Sequence, residues 1–259
     1  MEKLTNIPYI KSLLARFTAT DAGQQTSPLG AKKKFGQNFL VNDPTLTQII
    51  TAAQLTPEDT VIEIGPGLGV LTRELCLHGK HVIAIEKDRD MIAALNETII
   101  KNTPGAKEKI TILQQDALQF DPSTHPLTIN TPYKLVANLP YNVATPILEN
   151  FLVNTAKRSE AALPAPHQPS CIVVLVQKEV AEKACAKPGD HNVLSLTLQP
   201  YGTAKIIATV SPSSFFPPPK VTSSILTITP YATPLLSENL APTYFRRIPA
   251  AVSQKRKML

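Results

Sequence analysis

Apolar residues recur at Ile10, Leu13, Leu14 and Phe17, a three- and four-residue spacing that predicts a short amphipathic helix. The stretch 18 to 31 is polar and contains glycine, and reads as a linker. In "NDPTLTQIITAAQL" a second helix is expected, with Asp43 as its N-cap and Pro44 at the first helical position. From there short β-branched runs, "TVIEI", "HVIAI", "ITIL", "YKLVA" and "CIVVLV", alternate with helical patterns over 68 to 78, 88 to 101 and 143 to 154. That alternation predicts crossover units on a mainly parallel sheet covered on both faces. Two later strands, near 204 to 210 and 221 to 229, are joined by "SPSSFFPPPK", too short for a crossover helix, and are expected to pair antiparallel at the sheet edge. The segment 158 to 170 reads as a surface loop, and beyond Pro230 the pattern turns helical and basic.

With 259 residues and 43% hydrophobic content, the chain can bury one substantial core and a small appended domain. The net charge of +6 is modest, but basic residues cluster at Lys32, Lys33 and Lys34 and again at Arg246, Arg247, Lys255, Arg256 and Lys257. Such clusters suit a polyanion and equally suit a solvated face. Cys76, Cys171 and Cys185 form no Cys-x-x-Cys pair, so neither a zinc site nor a disulfide framework is indicated, and a reducing compartment is the simplest setting. No apolar run is long enough to span a bilayer, and the first residues lack a signal-peptide pattern, which points to a cytoplasmic protein without a membrane partner. "IPYIKSLLARFTAT" is weakly amphipathic and basic; an ordinary first helix is preferred to an organelle transit peptide, which stays open.

The sharpest local signal is "VIEIGPGLGVLTREL", a strand with Glu63 near its tip, then Gly65, Gly67 and Gly69, then a helix. Glycines there allow a tight turn and close approach of a ligand to the helix N-terminus. Val70 stands where a dinucleotide fingerprint has its third glycine, which disfavours a pyrophosphate cofactor. Glu86 follows at the tip of the second strand, placed to accept from both hydroxyls of a ribose. Asp116 reaches the same edge after the third, where it could receive an adenine's exocyclic amine. Each acid alone reads as a helix cap or a solvated charge; together they favour an adenosine-bearing ligand.

"NLPY", 138 to 141, ends the fourth strand, and two readings stand side by side. Asn and Pro commonly punctuate strand ends and Tyr closes cores. Alternatively, the Asn138 side-chain oxygen and the Leu139 carbonyl are two acceptors that would favour the pyramidal form of an adenine N6, whose lone pair is otherwise delocalised into the ring. Pro140 would stiffen that turn, and Tyr141 would stack on the base, an interaction worth roughly 1 to 3 kcal/mol.

The ordered set "GQNFL", "EIGPGLGVLT", Glu86, "QQDA", "NLPYN", "QKEV" and "SSFFPPPKV" resembles the small-subunit ribosomal RNA adenine dimethyltransferases of the KsgA type, over about residues 30 to 258. The resemblance implies a Rossmann-like fold with a mainly parallel seven-stranded sheet and an antiparallel edge strand. It implies three parts: a helix and linker over 1–30, a catalytic domain over 31–230, and the start of a small helical C-terminal domain, truncated, over 231–259. It implies S-adenosylmethionine as methyl donor, no metal, a small-subunit rRNA partner, and dimethylation at N6 of two adjacent adenines near the rRNA 3′ end by a monomeric enzyme.

Carried onto this sequence, Asn38 and Leu40 would cover the cofactor. Gly65 and Gly67 would lie beneath it, Glu86 would hold the ribose and Asp116 the adenine, and Asn138 would sit between cofactor and target base. Phe215 would face Tyr141 across that base, with Leu139 and Pro140 shaping the site. Lys32, Lys33, Lys34, Lys220, Arg246 and Arg247 are the expected RNA contacts. One departure is "NVLS", with Asn192 and Val193 where many relatives have Gly-Arg, which leaves that arginine's contacts without a counterpart. Large-subunit rRNA methyltransferases of the antibiotic-resistance type and non-catalytic RNA-binding or transcription-accessory relatives on the same fold are the alternative readings, with a DNA adenine methyltransferase a weaker third.

Overall fold

In a computed structural model, residues 3–18, 38–129, 131–154, 168–237 and 239–254 are described. Helix α1 (Ile7–Thr18) buries Ile10, Leu13 and Leu14, the stripe expected from its spacing. Strand β1 (Phe39–Leu40) leads into α2 (Asp43–Ala53). The cap of α2 is Asn42 rather than Asp43: its backbone is extended and its Oδ1 accepts from Thr45 N at 2.9 Å, whereas Asp43 is already helical.

Strands β2 (Thr60–Ile64), β3 (His81–Glu86) and β4 (Ile110–Gln114) are linked by α3 (Val70–His78), α4 (Arg89–Asn102) and the single turn α5 (Ala106–Lys109). Then come β5 (Tyr133–Asn138), α6 (Ala144–Glu149) with a π turn over Asn150–Asn154, and β6 (Pro169–Gln177). The loop expected to run to 170 therefore yields to strand at Pro169, and its residues 158–167 lie outside the described ones. Helices α7 (Lys178–Ala184) and α8 (Val193–Leu198) precede β7 (Gly202–Val210), β8 (Phe215–Phe216), β9 (Ser223–Pro230) and α9 (Ala241–Gln254).

Among the described residues the main sheet has seven strands in the order β4-β3-β2-β5-β6-β9-β7. The first five are parallel, and β9 runs antiparallel to both β6 and β7, which places β7 at the edge. β2 and the central run of β6 are buried on both faces, which is why they read as continuous apolar runs and not as alternating ones. One core layer joins Ile62, Leu135, Val174 and Leu226 to α6 and α8 through Ile147, Leu148 and Leu194. The opposite layer joins Val61, Val82, Val136 and Val173 to α2 and α3 through Ile49 and Leu75. A third cluster seats α1 on the fold, with Ile10 and Leu14 among Phe39, Leu68, Met91 and Phe216.

Helix α9 folds back on this body. Phe245 stacks on Tyr201 with ring centroids 6.4 Å apart, Tyr244 Oη donates to Leu196 O at 2.9 Å, and Ile248 is buried. The departure at 192 has a structural role of its own. Asn192 caps α8 in a reciprocal box, its Oδ1 accepting from Ser195 N at 3.1 Å while Ser195 Oγ accepts from Asn192 N at 2.9 Å. Val193 is left 48% exposed at the first helical position.

Candidate active site

The strand order reverses direction between β2 and β5, and the carboxyl ends of parallel strands at such a point form the usual ligand crevice of open α/β sheets. A cavity of about 330 Å³ lies there, lined by the tips of β2, β3 and β5, the residues after β4, and β1 from above. That volume is at the lower end of ordinary small-molecule sites.

Its floor is the turn after β2. Gly65, Gly67 and Gly69 all have positive φ. A Cβ on Gly67 would stand 3.1 Å from the Phe39 ring, and one on Gly69 would stand 2.9 Å from Ile99 and Leu95. Gly67 therefore keeps open the space between the turn and β1, while Gly69 lets α3 pack closely on α4. Gly65 N donates to Ile85 O at 2.9 Å, tying the turn to β3.

Glu86 is 9% exposed and its Oε1 accepts from Lys87 N at 2.8 Å and Asp88 N at 2.9 Å, which fixes the carboxylate at the strand tip. Burial raises its carboxyl above the usual range, opposed by those amides and that of Gly67. Asp116 is shifted the other way. Lys87 Nζ donates to Oδ2 at 2.7 Å and Leu118 N to Oδ1 at 3.0 Å, and this pairing holds its carboxyl below the usual range. Asp116 stands two residues beyond β4, on the same rim as Glu86.

On the other side, Asn138 ends β5 and its Nδ2 donates to the carbonyl of Asn38 at 3.0 Å. Leu139 is 1% exposed and its N–H reaches Leu175 O at 3.1 Å; Pro140 O accepts from Val143 N at 3.1 Å, closing the turn. Tyr141 Oη and Ser223 Oγ lie 2.6 Å apart, so the start of β9 holds the ring, and burial raises the phenol above its usual range.

The structure brings Asn38, Leu40, Gly65, Gly67, Glu86, Asp116, Asn138, Leu139, Pro140 and Tyr141 together around one cavity. Phe215 is a correction. It pairs with Leu40 across the antiparallel β1–β8 ladder, is 3% exposed, and belongs to the core cluster with Val210 and Ile225 instead of lining the cavity opposite Tyr141. The ladder positions the cover of the site, and that uses the ring for packing. Lys220, Arg246 and Arg247 are exposed and lie away from the cavity lining, while Lys32, Lys33 and Lys34 fall outside the described residues.

Sequence reasoning missed Lys87, Ser223 and Glu63 as parts of the site. Lys87 had a signal, a cation directly following an acid at a strand tip. Ser223 had none, because its partner is 82 positions away. Glu63 had the signal of an acid inside an otherwise uncharged, buried strand. Among the described residues, no group of three or more His, Cys, Asp or Glu side chains is arranged to hold a metal ion, and no helix is long and apolar enough to cross a membrane.

Sheet order, glycine turn and acid-tipped strands define a Rossmann-like α/β protein with a cofactor-sized cavity at its switch point. The family model for ribosomal RNA adenine dimethylase matches residues 29–259, and the chain belongs to that family. It is 40% identical over 231 residues to the ribosomal RNA small subunit methyltransferase A of Dehalococcoides mccartyi, a match covering 89% of this chain and 74% of that protein. The protein of the same name from Synechococcus elongatus is 37% identical over 236 residues, covering 88% and 80%. Among solved structures, the 23S rRNA methyltransferase ErmE is similar with a TM-score of 0.65 and 26% identity, covering 82% of this chain and 78% of that one. A dimethyladenosine transferase from Plasmodium falciparum is similar with a TM-score of 0.59 and 27% identity, covering 74% and 63%.

Proposed function

We propose that this protein transfers methyl groups from S-adenosylmethionine to N6 of two adjacent adenines near the 3′ end of small-subunit rRNA, giving N6,N6-dimethyladenosine. The observation that carries this reading is the cavity itself. Its glycine turn, Glu86, Asp116 and the Asn138-to-Tyr141 exit surround one space in the order that an adenosine-bearing methyl donor and a target base would need. The residues fit the donor: Glu86 for ribose hydroxyls, Asp116 for the adenine amine, and Gly67, whose missing side chain leaves room beneath Phe39. The names of the relatives at 37 to 40% identity support the small-subunit substrate.

When bound, S-adenosylmethionine supplies a methyl group on a positively charged sulfur. The chain's own residues position the acceptor. With Nδ2 committed to Asn38 O, the Asn138 Oδ1 is the face of the amide left to accept from an adenine N6–H. Tyr141, braced by Ser223, offers a ring for the base, which must leave its helix or loop to arrive there. A base held at that point reacts largely through orientation and electrostatic fit, and its N6 proton leaves to solvent as the new C–N bond forms.

In this reading residues 31–230 form the catalytic domain and 231–259 a small helical part. One copy carries a whole cavity, so a monomer suffices. Lys32, Lys33, Lys34, Lys220, Arg246 and Arg247 meet phosphate and set position more than sequence.

The likeness to ErmE favours a second reading, methylation of large-subunit rRNA. Tritiated methyl transfer to small subunits lacking the modification, to large-subunit rRNA and to DNA separates the two. Label in the small subunit alone is the expected result; label in large-subunit rRNA would move the assignment to the second reading.

A further inference from the structure

Glu63 interrupts a strand whose other residues are apolar or small and buried. It is 2% exposed, its Oε2 has no hydrogen-bond partner among the described residues, and it lines the cavity. The groups that face it offer little to a negative charge. From β3 comes Glu86, of the same sign. From α3 come Thr72, whose buried hydroxyl lies beside the carboxyl but outside good hydrogen-bond geometry and opposes the rise only in part, and Cys76. Burial pushes the Cys76 thiol up to about 12, so it stays neutral. Lys109, from α5, lies beyond Cys76 and spends its ammonium on the carbonyls of Cys76 and Gly79, at 3.1 and 3.2 Å. Lys87 is engaged by Asp116. Burial therefore pushes the Glu63 carboxyl up to about 8, with the nearby Thr72 hydroxyl opposing and the Glu86 charge adding to the rise.

We propose that Glu63 reads the charge of the cofactor: it holds a proton in the free site, releases it to solvent when the sulfonium donor binds, and regains one when the neutral thioether product remains. This rests on the cofactor reading given above. Two carboxyls facing one cavity do not both ionise readily until a cation joins them. Donor and product differ by one methyl group and one positive charge, and a buried titrating carboxyl responds to the charge. The sign follows from linkage. Where the free site binds a proton that the donor-bound site does not, donor affinity rises with pH until the free carboxyl has itself ionised, near pH 8. The product lacks the sulfonium charge, so its affinity changes far less.

Isothermal titration of the full chain with S-adenosylmethionine and with S-adenosylhomocysteine, at about pH 6.5 and about pH 8.5, in buffers of different ionisation enthalpy, tests this. Donor affinity is expected to rise about tenfold across that range, with release of most of one proton per donor near pH 7, while product affinity changes less than about threefold. Glu63→Gln, a neutral isostere, should abolish the proton release and the pH dependence of donor binding. The proton count in the wild type needs no variant, and carbon-13 titration of glutamate carboxyls, free and donor-bound, provides a second readout should Glu63→Gln fail to fold. Donor binding without proton release, or full release retained in a folded Glu63→Gln, overturns the proposal and leaves the cofactor reading standing. Absence of binding by either ligand overturns the cofactor reading and this proposal with it.

Discussion

The carbonyl of Asn38 accepts the Nδ2–H of Asn138 at 3.0 Å, joining segments 100 positions apart. An amide has one donating and one accepting end, so this single bond sets which end turns toward the cavity. Asn138→Asp tests it. A carboxylate cannot donate to the Asn38 carbonyl, so the tether is lost while the acceptors remain. Methyl transfer should fall about 100-fold or more, the scale of losing one polar group aimed at a reacting centre. The affinity for S-adenosylhomocysteine should fall much less, and steady-state kinetics beside calorimetry separates the two effects.

Tyr141 has two separable parts. Tyr141→Phe removes the 2.6 Å contact with Ser223 and keeps the ring, so unfolding free energy should drop by about 1 kcal/mol. Tyr141→Ala removes the ring as well and should weaken the hold on the target base by roughly 1 to 3 kcal/mol, visible as a raised KM for the RNA.

Gly67 is constrained by conformation and by space, since φ is +56° and an added Cβ would meet the Phe39 ring at 3.1 Å. Gly67→Ala should cost about 1 to 3 kcal/mol of stability by chemical denaturation. S-adenosylhomocysteine affinity should fall too, because relief of the contact displaces β1 from above the cavity.

The buried position of Phe215 makes a claim that the stacking reading does not. Phe215→Ala should lower stability by about 3 to 5 kcal/mol, as for a large core truncation. A surface ring that stacks on a base only when RNA is bound would leave the denaturation midpoint nearly unchanged.

Much of the fold was legible because parallel strands announce themselves. "TVIEI", "HVIAI" and "CIVVLV" are buried on both faces, and their continuous β-branched runs cannot be mistaken for solvated edges. The acids at the strand tips were equally visible, since a carboxylate after such a run stands out. What stayed illegible was settled by geometry that residue type does not encode. Nothing local distinguishes a phenylalanine that stacks on a ligand from one that pairs with Leu40 across a two-residue ladder. Asn42 and Asp43 are both competent caps, and only backbone geometry decides between them. Glu63 was visible as an acid in the strand, but the raised state of its carboxyl depends on what α3 and β3 place around it.

Lys87 and Asp116 give a pH-dependent prediction. Asp116 ionises more readily in the folded protein than its ordinary value of 3.8, so its pairing stabilises the fold above that pH, and the contribution is lost as pH falls through the depressed folded value. Both side chains are partly exposed, which limits the pair to under about 1 kcal/mol. Lys87→Met should therefore unfold at slightly lower urea than the wild type at pH 7, and the gap should close on acidification below about pH 4.

The most direct measurement is nucleoside mass spectrometry of small-subunit rRNA, taken from ribosomes lacking the modification and incubated with S-adenosylmethionine and either the wild type or Asn138→Ala. The account predicts N6,N6-dimethyladenosine at two adjacent positions near the 3′ end with the wild type, and about 100-fold less or none with Asn138→Ala. Dimethyladenosine formed equally well by Asn138→Ala, or no methylated adenine from a wild type shown to bind the cofactor, would contradict it.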